Sequence, residues 1–104
     1  MTIKQLQKLC HRIAVEKGFW DSEILRGELR NNAEMIALMH SELSEALEEL
    51  RKPKCNVNKV GLELADCTIR ILDFCGGKNI DLQKLLEKKI KKNKKRPYKH
   101  GKKF

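Results

Sequence analysis

Aromatic residues are scarce in this chain: Phe, Tyr and Trp together make up 5% of its 104 residues. A protomer this small, with few large rings and long amphipathic segments, commonly completes its core by oligomerising. No apolar run approaches the ~18 residues that a membrane helix needs. Lys4, Lys8 and Arg12 interrupt the N-terminus before a signal-peptide core can develop. The four cysteines, Cys10, Cys55, Cys67 and Cys75, include no C-x-x-C pair. That spacing argues against a disulfide or cysteine–metal framework and for free thiols in a reducing cytoplasm. No segment alternates with the period of a strand. No Gly-rich phosphate loop and no Cys–His or Ser–His arrangement is present. His11, His40 and His100 have no partners at ligand spacing and read as structural or solvated side chains.

Acidic residues are also missing from one end. The net charge is +9, yet Lys84–Phe104 holds eleven Lys or Arg and a single acid, Glu87, while residues 1–83 are close to neutral. The positive charge therefore belongs to the C-terminal end and calls for an anionic partner there.

What remains is helical. Thr2 is suited to cap a first helix that carries Ile3, Leu6, Leu9, Cys10, Ile13 and Ala14 at helical spacing and stops at Gly18. Residues 18–31 predict a loop with a short helical turn. A second helix is expected from Asn32 to Arg51, with Met35, Ile36, Met39, Leu43, Ala46, Leu47 and Leu50 as its apolar stripe and Pro53 beyond its end. A third is expected from Asn58 to Cys75, broken by Gly76-Gly77. Asp81 is suited to cap a fourth, Leu82–Lys94, ended by Pro97. The expected fold is all-α, a four-helix bundle-like domain over residues 1–96 followed by a basic tail at 97–104.

Two carboxylate pairs stand out, Glu42-Leu43-Ser44-Glu45 and Glu63-Leu64-Ala65-Asp66. The i, i+3 spacing puts both acids of a pair on one side of a helix. On antiparallel neighbours they would gather four negative charges, which a divalent cation offsets. Oxygen-only ligands suit Mg²⁺, with Mn²⁺ as a substitute. A single pair is common on any solvated helix. Here, however, both pairs border apolar surface, where unpaired acids are costly.

Glu42-x-x-Glu45, seventeen residues and Glu63-x-x-Asp66 resemble the metal motif of the all-α nucleoside triphosphate pyrophosphohydrolases. The stretch Asn32–Glu48 and the ending Lys89-x-x-x-Asn93-x-x-Arg96-Pro97-Tyr98 are similar to the MazG-like branch. The resemblance implies that Glu42, Glu45, Glu63 and Asp66 hold Mg²⁺. It also implies that Lys89, Asn93, Arg96 and Tyr98 meet the phosphates of a nucleoside triphosphate as the fourth helix closes over the site. The implied reaction cleaves a (d)NTP to a (d)NMP and pyrophosphate. Glu45 would act as general base and Lys89 would stabilise charge on the leaving group, in a homodimer or homotetramer. Trp20 has two readings, a hydrophobic plug over the bundle end or a stacking platform for the base. The alternative from another class is a small basic helical nucleic-acid-binding module without catalysis. Nucleic acid is not the partner that the carboxylate motif implies.

Overall fold

The computed structural model describes all 104 residues, Met1–Phe104. Five α-helices follow one another: α1 (Ile3–Glu16), α2 (Asp21–Arg26), α3 (Asn32–Arg51), α4 (Val57–Gly77) and α5 (Leu82–Lys94). A 3-10 turn, Tyr98–Gly101, follows α5, and the chain has no strand. The all-α expectation is met, with α2 as the short turn expected after Gly18.

The helix starts are set locally. Thr2 and Gln5 form a reciprocal capping box at α1, with Gln5 N donating to Thr2 Oγ1 at 3.1 Å and Thr2 N donating to Gln5 Oε1 at 2.7 Å. Asn31, Asn56 and Asp81 accept backbone N–H groups at the starts of α3, α4 and α5. Each such cap is worth about 1 kcal/mol.

The short link between α3 and α4 folds them into an antiparallel hairpin. The pairing runs in opposite directions along the two helices: Cys67 reaches the Met39 carbonyl, and Asn56 N donates to Glu49 Oε1. On its other side α4 packs antiparallel against α1. There Nδ1 of His11 meets Asp73, and Gln7 Nε2 donates to the Ile80 carbonyl at 2.7 Å.

Gly76-Gly77 does not break the helix. Both residues lie inside α4, and their missing side chains let α1 and Trp20 approach. A Cβ at Gly76 would sit 2.7 Å from His11 Cβ, and one at Gly77 would overlap the Trp20 ring. The chain leaves α4 only at Lys78 and turns through Asn79, which is left-handed at φ 56°.

α5 does not close over the α3–α4 hairpin within one chain. It lies against α1 instead: Lys4 N donates to Gln83 Oε1 at 3.0 Å. Lys89, Asn93, Arg96 and Tyr98 are all exposed.

A single chain also leaves its apolar stripes uncovered. On α3 the buried line is Met35, Glu42, Ala46 and Glu49. Leu43, Leu47 and Leu50 lie roughly a quarter-turn away and are half-exposed. Leu62 and Ile69 on α4, and Leu85 and Ile90 on α5, are likewise open. The radius of gyration is 16.6 Å, against about 13 Å for a compact chain of this length. The accessible surface is 8433 Å², against about 6,000 Å² expected for a monomer of this mass.

Candidate metal centre

The α3–α4 hairpin brings three acids together. One carboxylate oxygen from each of Glu42, Glu45 and Glu63 lies within 4.8 Å of the other two. Glu42 is buried, Glu63 half-buried and Glu45 exposed, so the cluster opens to solvent on one side. Asp66, the fourth acid of the motif, stands outside the trio. It is exposed and one turn further along α4, though close enough to raise the pKa of Glu63.

Glu63 is the strained member. Its Oε2 is buried without a hydrogen-bond partner. Its pKa is pushed up to about 7. The largest cause is a hydrogen bond that the protonated acid makes to Glu45, followed by burial and by repulsion from Glu45 and Asp66. An orphaned buried carboxylate oxygen is costly, and a divalent cation would remove both the orphan and the repulsion. The donor set is all oxygen, which fits Mg²⁺ or Mn²⁺. The residues present therefore fit such an ion.

Glu49 lies on the same buried line of α3, yet its carboxylate is satisfied. It accepts Lys52 Nζ at 2.6 Å and Asn56 N at 3.1 Å. Those two partners, Lys52 first, hold its pKa below the ordinary carboxylate range. Glu49 thus closes the hairpin and does not belong to the cluster. Glu42 is partly satisfied, because Arg70 Nε donates to its Oε1 at 2.9 Å.

Two cavities reach the trio from opposite ends. One, of about 440 Å³, is lined by charged groups including Glu45, Glu63, Lys52 and Lys59. The other, of about 380 Å³, runs between α1 and α4 and includes Glu42, Asp66 and Arg70. The cations that line these cavities in one chain are Lys52 and Lys59 in the first and Lys17, Arg30 and Arg70 in the second. Lys89, Asn93, Arg96 and Tyr98 line neither cavity.

Trp20 is a plug and not a stacking platform. It is 2% exposed, and its Nε1 donates to Asp73 Oδ1 at 2.8 Å. The His11 ring meets Trp20 edge-on at 4.9 Å between centroids, and Arg30 and Lys78 lie over the indole at 5.0 and 5.3 Å. No face is left for a base.

Sequence reasoning missed Asp73, the hub of this end of the molecule. It takes Trp20 Nε1, His11 Nδ1 at 3.0 Å and Arg30 at 3.5 Å. The available signal was a lone acid in Ile71-Leu72-Asp73-Phe74-Cys75, since a charge in such a run must find partners. Glu23 completes the clamp by accepting Lys78 Nζ at 2.8 Å and Arg30 N at 2.7 Å. His11 is structural, as read from its lack of ligand-spaced partners.

No family model, curated protein or solved structure matches this chain.

Proposed function

We propose that this chain is a Mg²⁺-dependent nucleoside triphosphate pyrophosphohydrolase of MazG-like type, acting as a homodimer or homotetramer. The observation that carries this reading is the convergence of Glu42, Glu45 and Glu63, with one buried oxygen of Glu63 left without a partner. Glu42, Glu45 and Glu63 would hold the ion, with Asp66, whose charge already raises the pKa of Glu63, as a fourth acid beside them. When bound, Mg²⁺ would neutralise phosphate charge and favour attack of water on the α-phosphorus.

The chain's own residues supply the rest. Glu45 is the exposed member of the trio and so is placed to take the proton from the attacking water. Lys59 and Lys52 line the charged cavity beside it and can offset charge on the departing pyrophosphate. Within one chain, Lys89, Asn93, Arg96 and Tyr98 are directed elsewhere, so they would serve the phosphates only from a neighbouring protomer. The uncovered leucines of α3 and α4 support such an assembly, because a run of exposed apolar side chains along a helix favours cover by a partner.

Incubation with a panel of NTPs and dNTPs plus Mg²⁺ tests the reading. Release of pyrophosphate is expected, and orthophosphate alone would overturn it. A second reading is supported by α5 and the tail, whose lysines and arginines form no ion pair with any acid of the chain. Metal-independent, salt-sensitive binding to DNA or RNA would favour a nucleic-acid-binding module instead.

A further inference from the structure

We propose that the cavity between α1 and the α4–α5 turn binds the diphosphate group of a small anionic molecule. The proposal does not rest on the pyrophosphohydrolase reading. The cavity is lined from α1 by Lys4, Lys8, His11 and Arg12 and from the turn by Asn79 and Asp81. Its volume of about 350 Å³ falls in the roughly 300–1,000 Å³ range of small-molecule sites. It shares no lining residue with the two cavities at the acid trio. Gly76, on its wall, and Glu63 are both on α4, separated by a rise of about 20 Å.

The cations of this wall work against α1 itself. Lys4, Lys8 and Arg12 recur every four residues, which puts like charges one turn apart. Lys4 sits in the first turn, where the helix dipole disfavours a cation, and that turn holds no acid. Lys4 and Lys8 form no ion pair, and Arg12 has only a 3.9 Å contact to exposed Glu16. Asp81 is the one acid of the lining, and its Oδ1 already accepts Lys84 N at 3.1 Å. An anion in the cavity would offset the repulsion along α1. The three cations are spread over a rise of about 12 Å. A diphosphate carries more charge than orthophosphate and is long enough to meet two of them at once.

Two further side chains suit a phosphate. Asn79, left-handed at φ 56°, adds an amide to the lining that can donate to a phosphate oxygen. His11 has its Nδ1 engaged by Asp73 at 3.0 Å, so Nε2 is the ring nitrogen left for a ligand. The same Asp73 oxygen accepts Trp20 Nε1 at 2.8 Å, and the His11 ring meets the indole edge-on. A ligand against His11 is therefore coupled to the chain's only tryptophan.

The test is an NMR titration of the full chain in EDTA, at about 0.15 M salt to screen surface charge. The probes are orthophosphate, pyrophosphate and ADP. Pyrophosphate should saturably shift the amides of Lys8, Asn79 and Asp81 and the one indole N–H signal, and leave the amides of Glu42 and Glu63 in place. It should bind at least about fivefold more tightly than orthophosphate. ADP binding as well as pyrophosphate supports the site as a holder of the diphosphate end of a larger molecule; ADP binding more weakly supports it as a site for free pyrophosphate. Lys8→Gln and Arg12→Gln should each weaken pyrophosphate binding about threefold or more. Lys92→Gln, the same charge change on exposed α5, should weaken it less than about twofold. An equal loss in Lys92→Gln assigns the anion to the basic surface at large, nucleic acid included, and overturns the proposal. Orthophosphate binding as tightly as pyrophosphate overturns it too. So does the absence of a saturable shift at the named amides, as when a second copy covers the cavity. The magnesium reading stands apart from each of these outcomes.

Discussion

Arg70 of α4 donates its Nε to Oε1 of Glu42 on α3 at 2.9 Å, so one oxygen of the most buried acid in the cluster is already engaged by a cation. This pair ties α4 to α3 and would compete with an ion at the candidate centre. Arg70→Gln should lower metal-free stability by about 1 kcal/mol, since the arginine is partly exposed and solvent screens the pair. The same change should tighten Mg²⁺ binding several-fold. Thermal melts with and without Mg²⁺ check both halves. A variant less stable in either condition and no tighter for the ion would show that Arg70 only props the site.

Glu63 should give the protein without metal a pH dependence whose sign follows from its raised pKa. Its pKa lies at about 7 in the folded chain against an ordinary 4.5, so the native state holds the proton more tightly than the unfolded one. Stability on this account is greatest below about 4.5 and declines as pH rises to about 7. Glu23 and Glu49, whose pKa values are lowered by Lys78 and Lys52, act at lower pH and oppose it there. Melting temperature in EDTA should fall from pH 5 to pH 7.5, and Mg²⁺ should restore more at the higher pH. Glu63→Gln should flatten the decline, and an unchanged slope would count against this origin.

The acids should not contribute equally. Glu42, Glu45 and Glu63 converge, whereas Asp66 stands beside them. Glu63→Gln or Glu42→Gln should lower Mg²⁺-dependent pyrophosphate release at least about a hundredfold, within the range that loss of general base or metal ligation produces. Asp66→Asn should cost less, on the order of tenfold. Far-ultraviolet circular dichroism should show all three variants fully helical. Asp66→Asn proving as severe as the others would place four acids on the ion during turnover.

Gly77 offers a test in which helix propensity points the wrong way. Ala in place of a mid-helix glycine ordinarily stabilises by roughly 0.5–1 kcal/mol. Here the added Cβ would overlap the Trp20 ring, and displacing that ring would also disturb its bond to Asp73. Gly77→Ala should therefore destabilise by about 1–3 kcal/mol, as read from denaturant midpoints. Gly61 has open space at the same point, so Gly61→Ala is the stabilising control.

Leu47 is 57% exposed in one chain, where a lysine would be harmless to a monomer. In an assembly that covers the α3 stripe, Leu47→Lys should dissociate the protein. Light scattering behind size exclusion reads the outcome. A monomeric parent chain, or an oligomer indifferent to the change, would remove this face as the interface.

The helix boundaries of this chain are local facts and were legible. Asn32–Arg51 and Leu82–Lys94 begin and end where the sequence places them, because Asp81 caps, Pro53 and Pro97 stop, and such signals act within one turn. The acids of both motif pairs could be named as candidates for the same reason, since i, i+3 spacing is a property of one helix. The tertiary structure alone decided which of them meet: Glu63 joins Glu42 and Glu45, while Asp66, one turn further along α4, stands outside the trio. It also turned Trp20 inward onto Asp73, kept Gly76-Gly77 helical, and laid α5 against α1. Each of these outcomes depends on the rotation and separation of helices distant in sequence, which close packing sets and no local residue pattern records.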